Sequence, residues 1–202
     1  MLVVVDYGVG NLGSVANMLR KIGAKAEVSS DPVRIEAATS ILLPGVGRFD
    51  HAMQCLNDSG LVEPLRRKAL EEKVPILGIC LGAQMLGRSS EEGKLPGLGW
   101  LDMEAKRFPA ESGLRVPHMG WRVLGPCRPS PLFEADTEER RYYFAHSYYM
   151  APDRDEDIIA KLDYGLEFAA CVGYRNIYGA QFHPEKSHRF GAAFLKNFVE
   201  RG

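Results

Sequence analysis

The chain has 202 residues, 46% of them hydrophobic and 25% charged, with a formal net charge of −1. That length suits one soluble domain, 1–202, with a sizeable core, and the mixed charge leaves no basic footprint for nucleic acid or an anionic membrane. No apolar run reaches the length of a membrane span, and "MLVVVD" is too short and lacks the basic start of a signal peptide, so a cytoplasmic location is expected.

In chain order, "LVVVD" (2–6) reads as a buried β-strand. "NLGSVANMLRKIG" (11–23) reads as a helix, with Leu12, Val15, Leu19 and Ile22 at helical spacing, Asn11 as its cap and Gly23 as its stop. "KAEVSS" and "SILLP" (40–44) are further strands, Asp50–Leu56 and Leu61–Glu72 are helical, and "VPILGI" (74–79) is a strand leading into a helix from Leu81. Strands alternating with helices predict a parallel sheet covered on both faces. Residues 98–182 change character. Short β-like runs such as "YYFAHSYYM", "DIIAKL", "FAACVGY" and "IYGAQF" predict a mixed or antiparallel extension, and Arg189–Glu200 a closing helix. The fold class is a three-layer α/β sandwich. The linker-like stretches are "GPCRPSP" (125–131) and "APDRDED" (151–157).

Gly8-x-Gly10-x-x-Gly13 after the first strand has the spacing of a dinucleotide-binding turn, with Asp31 where an acidic residue would hold a ribose. The same glycines also suit a tight strand-to-helix turn, and the chain is short for an enzyme that needs a separate substrate domain.

Cys55, Cys80, Cys127 and Cys171 are widely spaced and read as free thiols. Cys80 stands apart. Gly78-Ile79-Cys80-Leu81-Gly82 is the pattern of a nucleophile elbow with sulfur in place of oxygen. A strand that turns sharply into a helix strains the middle residue and lifts its side chain above the sheet. Positions two before and two after must lack bulk. The elbow also sets the sulfur at a helix N-terminus, which favours a thiolate, and aims the Leu81 N–H at a developing oxyanion.

A cysteine nucleophile needs a base with its own orienter. "IYGAQF" ends in His183, and Glu185 follows two residues on. With Pro184 biasing the backbone toward extended, the carboxylate can accept from one ring nitrogen and leave the other for sulfur. A polar loop or a metal site including His188 are the competing uses of this stretch, and its spacing matches no familiar metal site.

"GICLGAQ" with a distant "HPE" resembles the class I glutamine amidotransferases, which use Cys-His-Glu to hydrolyse glutamine and pass ammonia to a partner. "DYGVGNLGS", "LPGVGRF", "PHMGW" and "HPEKS" are similar to the branch serving histidine biosynthesis. The resemblance covers nearly the whole chain. It implies Cys80 as nucleophile, His183 as base then acid and Glu185 as orienter. It implies backbone oxyanion donors at Val46 and Leu81, and glutamine contacts at Gly47, Gln84, Ser147 and Tyr148. The implied partner is a (β/α)8-barrel cyclase, forming a heterodimer and making imidazole glycerol phosphate and an aminoimidazole carboxamide ribotide. Asn11, His118, Trp121 and Lys186 would face that partner. No metal and no organic cofactor are implied. Gly45 and Gly47 would let the loop after "LLP" rotate its peptides when the partner signals. Arg122 stands where the family commonly has asparagine. Other readings are a glutaminase serving a different synthase, a non-catalytic regulatory subunit and a nucleotide-binding module.

Overall fold

The computed structural model describes residues 1–125, 128–133 and 140–202. Its elements run β1 Leu2–Val5, α1 Leu12–Lys21, β2 Ala26–Ser29, α2 Pro32–Glu36, β3 Ser40–Gly45, α3 Phe49–Asp58, α4 Val62–Arg66, β4 Ile76–Cys80 and α5 Leu81–Met85. Then follow β5 Ser89–Ser90, β6 Met103–Arg107, β7 His118–Val123, β8 Arg141–His146, β9 Tyr148–Pro152, β10 Ile158–Asp163, β11 Glu167–Tyr174, β12 Ile177–Ala180 and α6 His188–Arg201. Among the described residues no helix is long and apolar enough to cross a membrane.

The main sheet runs β2-β1-β3-β4-β12-β11-β9-β6-β5, with β10 paired to β11. From β2 to β12 every pairing is parallel, and beyond β12 antiparallel pairings dominate, as the change in sequence character predicts. β7 and β8 form a separate antiparallel ribbon.

Alternation along each strand splits the core into two layers. Val3, Val5, Ile41 and Leu43 pack with Ile35, Phe49, Met53 and Leu56 from α2 and α3. Leu2, Val4, Leu42 and Leu77 face the other way, onto Val15 and Leu19 of α1 and Phe194, Leu195 and Phe198 of α6. The three-layer expectation holds.

Several local readings are corrected. Asn11 precedes α1 without a side-chain cap hydrogen bond. The helix expected over Leu61–Glu72 is α-helical only to Arg66 and then winds as a π turn over Arg67–Glu71. Asp31 caps α2 through an acceptor bond from the Val33 N–H at 2.9 Å, so its carboxylate has a structural use. The Gly8–Gly10 turn has positive φ at both glycines and lies against the Pro44 ring. The proposed 125–131 linker falls partly outside the described residues, as does Cys127; Cys55 and Cys171 are free thiols.

Candidate active site

β4 lies between β3 and β12, all parallel, so the three strands end at one edge. The register sets Gly45 opposite Cys80 on one side. On the other, Ala180 opposes Ile79, which brings Gln181 level with Cys80. Cys80 has φ 54° and ψ −109°, a conformation costing an L-residue about 1–3 kcal/mol, which tight surrounding packing sustains.

That packing comes from the flanking glycines. A Cβ on Gly78 would lie 2.6 Å from the Cα of Ala83, and one on Gly82 would lie 1.9 Å from the Leu43 carbonyl oxygen. The steric reading of the elbow is therefore met. The helix behind it, α5, has only five residues, so its dipole is short. The Leu81 N–H, at the first position of that helix, has no intrahelical acceptor.

The loop after β3 differs from expectation at one glycine. A Cβ on Gly45 would meet the Gly82 nitrogen at 2.4 Å, so Gly45 is needed for close packing and is clamped against α5. Gly47, with φ 90° and open space around it, carries the conformational freedom. Tyr7, buried behind this loop, donates its hydroxyl to the Pro44 carbonyl at 2.8 Å.

His183 Nδ1 donates to Glu185 Oε1 at 2.8 Å, and both side chains are almost wholly buried. The backbone differs from the extended form expected. Pro184–Lys186 is a single 3-10 turn, and the carboxylate curls back to the ring. Ser187 secures the turn by donating to the His183 carbonyl at 2.6 Å and accepting from the Tyr143 N–H of β8 at 3.0 Å. α6 approaches so closely that a Cβ on Gly191 would lie 1.8 Å from the Pro184 carbonyl oxygen. With Nδ1 committed to Glu185, the other ring nitrogen remains for Cys80. Burial pulls the His183 pKa down, but hydrogen bonds to Cys80 and Glu185, and then their charges, raise it to about 10. An imidazole so placed holds a proton beside the sulfur.

A cavity of about 290 Å³ opens here. Cys80, His183, Val46, Leu81, Gly47, Gln84, Ser147 and Tyr148 all line it, so nucleophile, base, oxyanion candidates and substrate candidates share one space. Gln84 Nε2 donates to the Tyr148 carbonyl at 2.8 Å.

The expected partner-facing residues divide. Asn11 is half-buried, and Lys186 is exposed, with its Nζ 5.9 Å from the Tyr143 ring centre. Trp121 is 37% exposed and stacks on His188, 5.3 Å between centroids. His118 is fully buried, so its side chain is not available to a partner. Strand alternation explains the correction: Met119, Trp121 and Val123 take the outer face of β7 at 56, 37 and 42% exposure, which turns His118 inward. There it stacks on Phe144 and lies 4.0 Å, centroid to centroid, from Tyr164. Arg122 covers the same Tyr164 ring at 5.1 Å.

His146 Nδ1 donates to the Tyr148 carbonyl at 2.7 Å, and its Nε2 stands 2.9 Å from His118 Nδ1. Because a carbonyl only accepts, His146 carries its proton on Nδ1, and its Nε2 accepts a hydrogen bond from His118 Nδ1. Burial lowers both imidazoles, His118 to about 4 and His146 to about 3. Sequence reasoning missed Tyr7, Gln181 and Ser187. Gln181 alone left a trace, as an amide in the apolar run "YGAQF".

The family model for class I glutamine amidotransferases matches residues 3–201. The chain is 50% identical to "Imidazole glycerol phosphate synthase subunit HisH 2" of Pseudomonas aeruginosa over 200 residues, covering 99% of each chain. It is 43% identical to the protein of the same name from Methanococcus maripaludis, covering all of both, and 46% identical to subunit HisH of Bdellovibrio bacteriovorus, covering 99% of this chain and all of that one. Among solved structures, a glutamine amidotransferase superposes with TM-score 0.75 at 18% identity, covering 98% of this chain and 97% of that one. PurLQS from Thermotoga maritima gives 0.74 at 20%, covering 98 and 96%. These two show the likeness of fold.

Proposed function

The chain belongs to the class I glutamine amidotransferase family, and from that premise we propose that it is the glutaminase subunit of an imidazole glycerol phosphate synthase, acting in histidine biosynthesis. Residues 1–202 act as one glutaminase domain. The observation that carries the reading is the strained Cys80 facing a Glu185-anchored His183 across one cavity.

The Cys80 thiolate attacks the side-chain amide carbon of glutamine. The carbonyl electrons move onto oxygen, where the backbone N–H groups of Leu81 and Val46 hold the charge. The tetrahedral adduct collapses as His183 gives its proton to the amide nitrogen, and ammonia leaves. His183 then takes a proton from water, which attacks the glutamyl thioester, and glutamate departs with the thiolate restored. Glu185 keeps the ring oriented through both steps. Gln84, Gly47 and the backbone of Ser147 and Tyr148 position the substrate. This chemistry uses the chain's own side chains and backbone N–H groups with water, and calls on no cofactor.

The ammonia passes to a cyclase subunit, a (β/α)8 barrel, in a cytoplasmic heterodimer whose lyase chemistry forms the imidazole ring. The partner docks on the apolar face of Met119, Trp121 and Val123, with Lys186 beside it across Tyr143 and Asn11 as a further contact. Support comes from position: Met119 and Pro117 line the cavity while Met119 also stands exposed beside it. Docking acts allosterically on the Gly47 loop, which has the freedom to turn the Val46 N–H toward the oxyanion.

The test is glutamine labelled with ¹⁵N in its amide, turned over by this chain with the cyclase and its ribonucleotide in the presence of unlabelled ammonium. The expected product carries the label undiluted in its imidazole ring, and Cys80→Ala removes it. A product with bulk nitrogen from the unaltered pair would contradict the assignment.

A further inference from the structure

Gln181 lies one residue beyond β12, fully buried and level with the nucleophile. Its N–H is tied to the Ala170 carbonyl of β11 at 2.9 Å, which fixes the backbone. The side chain ends 3.8 Å from sulfur, with Nε2 toward Cys80 Sγ.

The orientation of that amide follows from a chain of donors that begins at a group able only to accept. The Tyr148 carbonyl takes hydrogen bonds from His146 Nδ1 at 2.7 Å and from Gln84 Nε2 at 2.8 Å. Gln84 therefore presents its NH₂, and the same NH₂ reaches Gln181 Oε1 at 3.1 Å. With its oxygen occupied, Gln181 turns its own NH₂ to the sulfur. A neutral thiol has a different partner, the Ala145 carbonyl at 4.0 Å, to which only an S–H can donate. The two environments of sulfur are thus distinct, one suited to thiol and one to thiolate.

We infer that Gln181 is a dedicated donor to the Cys80 thiolate, held in that role by Gln84 and the Tyr148 carbonyl. The inference deepens the glutaminase reading and rests on Cys80 being the nucleophile. His183 supplies charge and one N–H, and Gln181 supplies a second, fixed N–H from the neighbouring strand. The titratable groups around the sulfur are His183 after β12 and Tyr7 after β1, with Glu185 and His146 behind His183. None of these replaces the Gln181 donor.

The experiment is alkylation of the full chain by iodoacetamide from pH 6 to 10, read by mass on the peptide carrying Cys80, with folding checked by thermal melting. Gln181→Met keeps length and removes the donor. Gln181→Glu keeps shape and places an acceptor there, as a second variant should the first fail to fold. At pH 7 the Met variant should react about tenfold more slowly, the size of one hydrogen bond to a charged atom, and the Glu variant more slowly still. Both deficits should shrink toward pH 10. A rate within twofold of the unaltered chain at pH 7 would overturn the inference. So would a deficit equal at every pH, which marks altered access. Ammonia release from glutamine is measured separately. Its absence in the unaltered chain with the cyclase and its ribonucleotide present strikes the glutaminase reading and leaves the alkylation result intact.

Discussion

His183 and Glu185 lie two residues apart and meet across a tight turn, with the ring Nδ1 donating to the carboxylate at 2.8 Å in an almost fully buried pair. The bond fixes which ring nitrogen faces Cys80. Glu185→Gln keeps the shape but offers an amide that can present NH₂ to Nδ1, favouring the wrong tautomer. The expected result is a fall in kcat of about a hundred-fold or more with KM changed little, measured as glutamate formed with the cyclase present. Activity within threefold would count against the orienting role.

Gly191 and Pro184 are in backbone contact, with no space for a Cβ. Gly191→Ala must push α6 away from the turn that holds His183. Overpacking of this kind costs about 1–3 kcal/mol, so the urea midpoint should drop and kcat with it. A variant with unaltered midpoint and kcat would show that the turn yields freely.

Tyr7 ties the loop after β1 to the Pro44 carbonyl just before the Gly45–Gly47 segment. Tyr7→Phe removes one buried hydrogen bond, worth about 1 kcal/mol, and leaves the carbonyl without that donor. Stability should fall by about that amount in urea titrations. The glutaminase rate should fall several-fold through kcat, because the loop is less firmly placed. A stability loss with kcat unchanged would separate Tyr7 from the oxyanion loop.

His118 and His146 make stability depend on pH. In the unfolded chain each takes a proton near pH 6.5, whereas in the folded chain burial delays this to about 4 and about 3. Below pH 6.5 the unfolded state therefore binds more protons, so their contribution is full above pH 6.5 and is lost as the pH falls. Each proton adds a slope of about 1.4 kcal/mol per pH unit. Urea midpoints should drop between pH 7 and pH 5, and His118→Phe should shrink that drop. Equal midpoints at the two pH values in the unaltered chain would contradict it.

The elbow was legible because its constraint is local: a sharp turn needs small residues two positions either side of Cys80, and the glycines say so. His183 and Glu185 were legible as a pair for the same reason, although the turn joining them is tighter than an extended strand. Other features depend on register between distant segments. Gln181 reaches Cys80 only because β12 pairs with β4 one step out. His118 turns inward because β7 pairs with β8, a strand from further along the chain that presents Phe144 and His146 to it. Gly45 read as a flexible point since its contact with Gly82 crosses from β3 to α5. Local sequence carries the chemistry of the proposed nucleophile and base, while the strand order supplies their supporting donors.

The most direct test of the account is ammonia release from glutamine by this chain alone, with the cyclase, and with the cyclase plus its ribonucleotide, each beside Cys80→Ser. The account predicts a rate that rises in the last state and is lost in the variant. A rate indifferent to the cyclase and its ligand would contradict the assignment to that synthase, and a rate that survives Cys80→Ser would contradict the site itself.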